Sequence, residues 1–177
     1  IIRDANYAPR AYIGFSERRY IVVTGEKLEG LRNLLLKRIH REAGIFTILS
    51  RMPFLTKGAR KNFQELAWCF TMSTEANKQY EQLFQGAPAV VLVCGPDIIA
   101  TSQVNSEYAL LQLMILAEEK RLGTCISGYI AGYRKDITRF LGLDKSESVC
   151  CGTMIGYPAR EFRRFVKRTD TFVTWME

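Results

Sequence analysis

The chain has 177 residues, of which 47% are apolar, enough to bury one substantial core and close to the usual size of a single domain spanning residues 1–177. No apolar run reaches eighteen residues, which excludes a membrane-spanning helix, and the start, Ile1-Ile2-Arg3-Asp4, has neither an initiator Met nor a signal-peptide pattern. The expectation is a cytoplasmic protein whose natural N-terminal segment precedes Ile1, with a net charge of +7 spread over short basic groups that match no nucleic-acid motif.

Taken along the chain, Tyr20-Ile-Val-Val-Thr24 is a β-branched and aromatic run that predicts a strand. A helix follows from about Glu26, where Leu28, Leu31, Leu35 and Ile39 recur at three-to-four spacing. From Gly44 to about Lys61 sustained periodicity is missing and Pro53 and Gly58 intervene, so a variable excursion is expected there. Ser73-Thr-Glu75 resembles a helix cap and predicts a short helix ending near Phe84. Gly86-Ala-Pro88 then opens Ala89-Val-Val-Leu-Val-Cys94, an unalternating apolar run expected to be a strand covered on both faces and ended by Gly95-Pro96-Asp97.

From about Ser102 to Arg121 the pattern predicts a helix in which Gln112 is the only polar member of Tyr108–Ala117. A helix that is apolar on nearly every side has to be surrounded, and in a chain this small the expectation is a subunit interface. Arg121-Leu-Gly-Thr-Cys-Ile-Ser-Gly-Tyr129 reads as a tight loop of small residues whose backbone N–H groups can face a flat or anionic ligand. A helix from about Arg134 to Leu141 stops at Gly142, and Val149–Tyr157 is another central strand. The glycines in that strand, Gly152 and Gly156, permit close approach of backbone or ligand. The tail from Gly156 to Arg168 ends in a cluster of guanidinium groups suited to a phosphate. The succession predicts a mixed α+β layered fold.

His40, on a basic stretch of a surface helix, is the only histidine, so histidine-based metal sites and Ser-His-Asp or Cys-His hydrolases are excluded. Cys69, Cys94, Cys125, Cys150 and Cys151 have no CxxC spacing and are expected to be free thiols packed as small hydrophobes. Cys150 and Cys151 are expected on opposite faces of their strand. With no GxGxxG and no P-loop present, neither a Rossmann nor a Walker-type site is supported, and the chemistry falls to a cofactor.

Phe84-Gln-Gly-Ala-Pro-Ala-Val-Val-Leu-Val93, then Glu107-Tyr-Ala109 through Leu116-Ala-Glu-Glu-Lys-Arg-Leu-Gly-Thr-Cys125, then Met154-Ile-Gly-Tyr-Pro158 resemble, in order and spacing, the FMN-dependent nitroreductase family. Ala5-Asn-Tyr-Ala-Pro9 followed by Tyr20–Thr24 is similar to the family's first flavin loop and strand, and Phe162–Arg168 with Val173-Thr-Trp175 looks like the tail of its ferredoxin-fused subgroup. The resemblance implies a three-layer α+β fold, a central mixed or antiparallel sheet flanked by helices, in an intertwined homodimer with FMN at the subunit interface. It implies an oxidoreductase passing electrons from NAD(P)H or a ferredoxin-like donor through flavin N5 to quinones, nitroaromatics or similar acceptors.

Carried over residue by residue, the reactive edge of the flavin falls to the loop of Thr124, Cys125, Ser127, Gly128 and Tyr129, and the FMN phosphate to Arg164 and Arg168. Two departures stand out. The family's Arg-Ser-x-Arg segment would fall before Ile1, outside this sequence. The Pro-Ser-x-x-Asn-x-Gln-Pro-Trp loop is replaced by Pro9-Arg-Ala-Tyr-Ile-Gly-Phe-Ser-Glu-Arg-Arg-Tyr20, in which Arg10 is the residue available as a substitute. The alternative implied by these departures is a nitroreductase-fold protein that has lost FMN and binds another ligand or a partner.

Overall fold

The computed structural model describes residues 1–10, 18–79, 83–98, 101–160 and 174–176. In chain order the elements are α1 (Ile2–Ala5), β1 (Arg19–Thr24), α2 (Gly25–Ser50), α3 (Lys57–Gln79), β2 (Ala89–Pro96), α4 (Ser102–Glu119), β3 (Gly123–Ile126), α5 (Gly128–Gly132), α6 (Arg134–Leu141) and β4 (Glu147–Gly156). The four strands form one antiparallel sheet in the order β1-β2-β4-β3. Of the mixed and antiparallel alternatives, the sheet is the second.

Alternation along β2 divides the core. Val90, Leu92 and Cys94 join Leu31, Leu35 and Ile39 of α2, Ile130 of α5, Tyr133 between α5 and α6, and Ile137 of α6 on one face. Val91 and Val93 face Ala109, Leu110 and Leu113 of α4, with Ala5 of α1 beside them. Helices therefore cover both faces, which is why β2 is apolar without a break. The arrangement is the expected three-layer α+β fold.

The expected excursion from Gly44 to Lys61 is instead mostly helical. The stripe Leu31, Leu35, Ile39 continues into buried Ala43, and α2 runs on to Ser50 because α3 packs along it. Phe46 stacks on Phe63 at 6.1 Å between centroids and tilts against Phe70 at 5.4 Å. The true break is short: Thr56 caps α3, its Oγ1 accepting the Ala59 N–H at 3.2 Å. Ser73 and Thr74 are therefore not caps but interior residues of α3, donating back to the carbonyls of Cys69 and Phe70 at 3.0 Å each. Of the expected helix end near Phe84, residues 80–82 lie outside the described residues, while Leu83 and Phe84 are buried core.

β2 extends past Cys94 to Pro96, because Gly95 and Pro96 still pair with Ser148 and Glu147. A bulge corrects the expected placement of the paired thiols. Val93 pairs with Cys151 but Cys94 with Val149, leaving Cys150 as the extra residue. Cys151 packs on Ala109 and Leu110 of α4, and Cys150 Sγ sits on the same side beside Gly95 and Ser102, so both face α4. All five cysteines are free, as expected, but only Cys94, Cys150 and Cys151 are buried, whereas Cys69 and Cys125 are exposed. α6 stops where expected, at Gly142 with φ +67°.

Burial pushes the Cys94 thiol from its ordinary 9.0 up to about 12, with Glu147 adding to the effect, and raises Cys151 and Tyr133 in the same direction. The folded state thus holds these protons more tightly than the unfolded chain. The corresponding stability is fully present below pH 9 and is lost as the pH rises through 12. Urea midpoints should be level from pH 7 to 8.5 and fall progressively above pH 9, with a shallower fall in Cys94→Ala. A midpoint that rises with alkali would contradict the assignment.

Candidate functional site

α4 ends in a Schellman motif: Leu122 N–H bonds the Ala117 carbonyl at 3.0 Å and Arg121 N–H bonds that of Glu118 at 2.9 Å. The left-handed position, normally glycine, is Arg121 with φ +56°. That reversal sends the chain into β3. The predicted loop is thus an edge strand in its first half: Thr124 pairs with Ile155, Cys125 with Met154 and Ile126 with Thr153. The β-branched and thiol side chains of Thr-Cys-Ile suit the sheet edge better than a loop. The remainder is a turn, Ser127 leading directly into α5.

At this turn Ser127 is 5% exposed, and its Oγ is buried with no hydrogen-bond partner; it does not cap α5. Next to it, a Cβ placed on Gly128 would meet nothing within 4 Å, so one side of the turn is open. Among the described residues no acceptor bonds the N–H groups of Gly128 or Tyr129. Among the described residues, a buried hydroxyl without a partner beside two unbonded amides and an open glycine makes this edge rich in donors. Cys125 and Ile126 are exposed on the same strand.

The turn is held from behind. Ile130 is fully buried, its Cδ1 facing Gly152 of β4. Tyr129 Oη donates to Ser73 Oγ at 2.8 Å, and Tyr133 Oη donates to Glu42 Oε2 at 2.8 Å, which tie α5 to α3 and α2. Neither Ser73 nor Glu42 was suggested by the sequence pattern. The four-residue spacing of the two tyrosines, which puts both on one side of a helix, was the available signal.

Arg10 is not joined to this turn. It lies on the α1 side of the sheet, opposite the side on which α5 packs, and bonds Asn6 Oδ1 at 3.3 Å in a concavity formed with Arg3, Tyr7, Ala8 and Pro9. Nearby Arg18 is anchored to the Ala8 carbonyl at 2.6 Å, while burial lowers its basicity. Arg164 and Arg168 lie outside the described residues, as do 11–17 of the divergent loop. No group of histidine, cysteine and carboxylate side chains suited to a metal occurs among the described residues. Nor is any helix among them long and apolar enough to cross a membrane.

α4 presents its second apolar stripe outward. While Ser102, Ser106, Ala109, Leu113 and Ala117 face the sheet, Val104, Tyr108, Leu111 and Ile115 are between 42% and 56% exposed. The one protomer therefore surrounds only one side of the helix.

Solved structures share this architecture. A variant of the FMN- and NADPH-dependent nitroreductase NfnB from Sphigopyxis sp. strain HMH superimposes with a TM-score of 0.65 at 20% identity, covering 96% of this chain and 82% of that one. A Bacteroides fragilis nitroreductase with bound FMN gives 0.59 at 17% identity, covering 98% and 84%. The FMN-dependent nitroreductase NfnB from Mycobacterium smegmatis, in complex with NADPH, gives 0.52 at 15% identity, covering 89% and 75%. At these identities the likeness is one of fold. No curated protein matches the sequence. The Nitroreductase family model, however, matches residues 1–157. That span contains every strand of the sheet, both helical layers and the Ser127–Tyr129 turn, and the chain belongs to the nitroreductase family.

Proposed function

We propose that this protein is an FMN-dependent oxidoreductase of nitroreductase type, acting as a homodimer. The observation that carries the reading is the turn at Ser127–Tyr129, where, among the described residues, a buried hydroxyl without a partner and two unbonded amides adjoin Gly128, whose missing side chain leaves open space. These are the groups a flavin edge requires. In this reading Thr124 and Cys125 on the edge strand and Ser127, Gly128 and Tyr129 in the turn would line the ring, while Arg10, together with Arg164 and Arg168 from outside the described residues, would hold the phosphate. When bound, FMN supplies a hydride acceptor at N5. The chain's own contribution is to orient the ring, to donate hydrogen bonds where negative charge develops, and to shield one edge from water.

Because Arg10 lies across the sheet from α5, a site using both is more readily completed by two protomers than by one. The outward stripe of α4 supports this, since Tyr108, Leu111 and Ile115 offer the apolar surface a second copy would cover. NAD(P)H is the proposed donor, with a ferredoxin-like protein as the other candidate. The proposed acceptors are planar quinones and nitroaromatics, for which exposed Trp68 and Met72, within two turns of Ser73 on α3, offer an apolar surface.

The test is the absorbance of the purified full-length protein. Flavin bands in the visible, bleached by NADPH and restored by a quinone or nitroaromatic, are expected. A colourless protein that takes up no added FMN would overturn the reading and favour a fold retained for binding another ligand.

A further inference from the structure

α5 has only five residues and cannot persist as an isolated helix. Its position is set by what its side chains grip. Ile130 enters the core against β4, and the two tyrosines reach out of the sheet layer to the long helices. The first of these contacts begins at the site itself, because Tyr129 is both a turn residue and a donor to α3. Tyr129 Oη lies 2.8 Å from Ser73 Oγ, and Ser73 Oγ lies 3.0 Å from the Cys69 carbonyl to which it donates. The phenol O–H, the serine O–H and a helix carbonyl thus form a directed chain ending in the backbone of α3.

We propose that Ser73 is a positioning residue for the Ser127–Tyr129 turn, acting through the Tyr129 phenol. The inference rests on the flavin reading for its catalytic consequence, but not for its geometry. Among the described residues the Gly128 and Tyr129 amides have no backbone bond holding them, and a Cβ on Gly128 would meet nothing within 4 Å. Torsional freedom at this glycine would let the amides swing by more than a hydrogen bond tolerates. The Ser73 contact removes that freedom from the C-terminal side. It also fixes the turn relative to the face of α3 bearing Trp68, Cys69 and Met72.

Tyr129→Phe keeps the ring and removes the donor, Ser73→Ala removes the acceptor, and Ser73→Thr keeps a hydroxyl. Hydrogen exchange at the Ile130 and Tyr133 amides, which bond the Ser127 and Tyr129 carbonyls, is read on flavin-free protein, and the flavin midpoint potential and hydride-transfer rate on loaded protein. Loss of one neutral hydrogen bond predicts about fivefold faster exchange at those amides in each of the first two variants. The double variant should be no worse than either single one. Ser73→Thr should restore slow exchange. In loaded protein the hydride-transfer rate should fall by a similar factor of about five and the midpoint potential should become more negative. Unchanged exchange, or additive effects in the double variant, would overturn the proposal. Altered exchange in a protein that binds no flavin would leave the positioning intact and reject the proposed function instead.

Discussion

Leu111→Arg is expected to yield a folded monomer that no longer retains flavin. Leu111 is 56% exposed on the outer stripe of α4, so a charged side chain there costs the isolated protomer little. In the proposed dimer that stripe is covered, and each copy would have to bury an uncompensated guanidinium. At roughly 3–5 kcal/mol for an uncompensated buried charge, the dimer dissociation constant should rise by about a thousandfold or more. Sedimentation velocity reads the mass, and the visible spectrum reads the cofactor. Thermal unfolding of the separated protomer should remain cooperative, since the sheet-facing stripe of Ala109, Leu113 and Ala117 is untouched. A variant that remains dimeric and yellow would show that α4 is not the dimer surface.

Gly152→Ala is expected to be the most damaging single-methyl addition to the fold. Gly152 lies on β4 opposite Leu92. An added Cβ would fall 2.7 Å from Leu92 Cδ2, 2.9 Å from the Val91 carbonyl oxygen and 3.3 Å from Ile130 Cδ1. A flexible side-chain end could yield, but the carbonyl belongs to the neighbouring strand and the ladder must shift with it. The expected loss is about 3 kcal/mol, measured as a lower urea midpoint at an unchanged slope. Because Ile130 carries α5, the same methyl should also displace the Ser127–Tyr129 turn. Ala at Gly128, which has open space around it, is the matched control and should leave the urea midpoint nearly unchanged. Equal midpoints for Gly152→Ala and the unsubstituted protein would mean that β2 and β4 separate more easily than their close packing implies.

Sequence pattern alone located the strands around Tyr20–Thr24, Ala89–Cys94 and Val149–Tyr157, and the helices that begin at Ser102 and Arg134. Each is marked by a local signal: a β-branched run, a long apolar stretch, or a glycine stop. The α2–α3 hairpin was not legible. Its second half is held by contacts among Phe46, Phe63 and Phe70, residues far enough apart that no window of periodicity contains them. The edge strand β3 was missed for a related reason, since four residues between a helix and a turn carry little alternation of their own. Its identity comes from the partner, β4.

The candidate site divides in the same way. Composition and order, with one histidine and no dinucleotide motif, already restricted the chemistry to a bound cofactor and singled out Thr124–Tyr129. Tertiary structure decided which atoms of that segment are spent on the sheet and which remain free, since pairing with β4 consumes the edge of β3 but stops at Ile126. It also decided that Tyr129 is braced by Ser73, a residue 56 positions earlier in the chain, and that Arg10 belongs to the other side of the sheet. Residue type and spacing determine what a segment can do chemically. Which donors remain unpaired, and what holds them still, depends on contacts between distant segments, and those exist only in the folded chain.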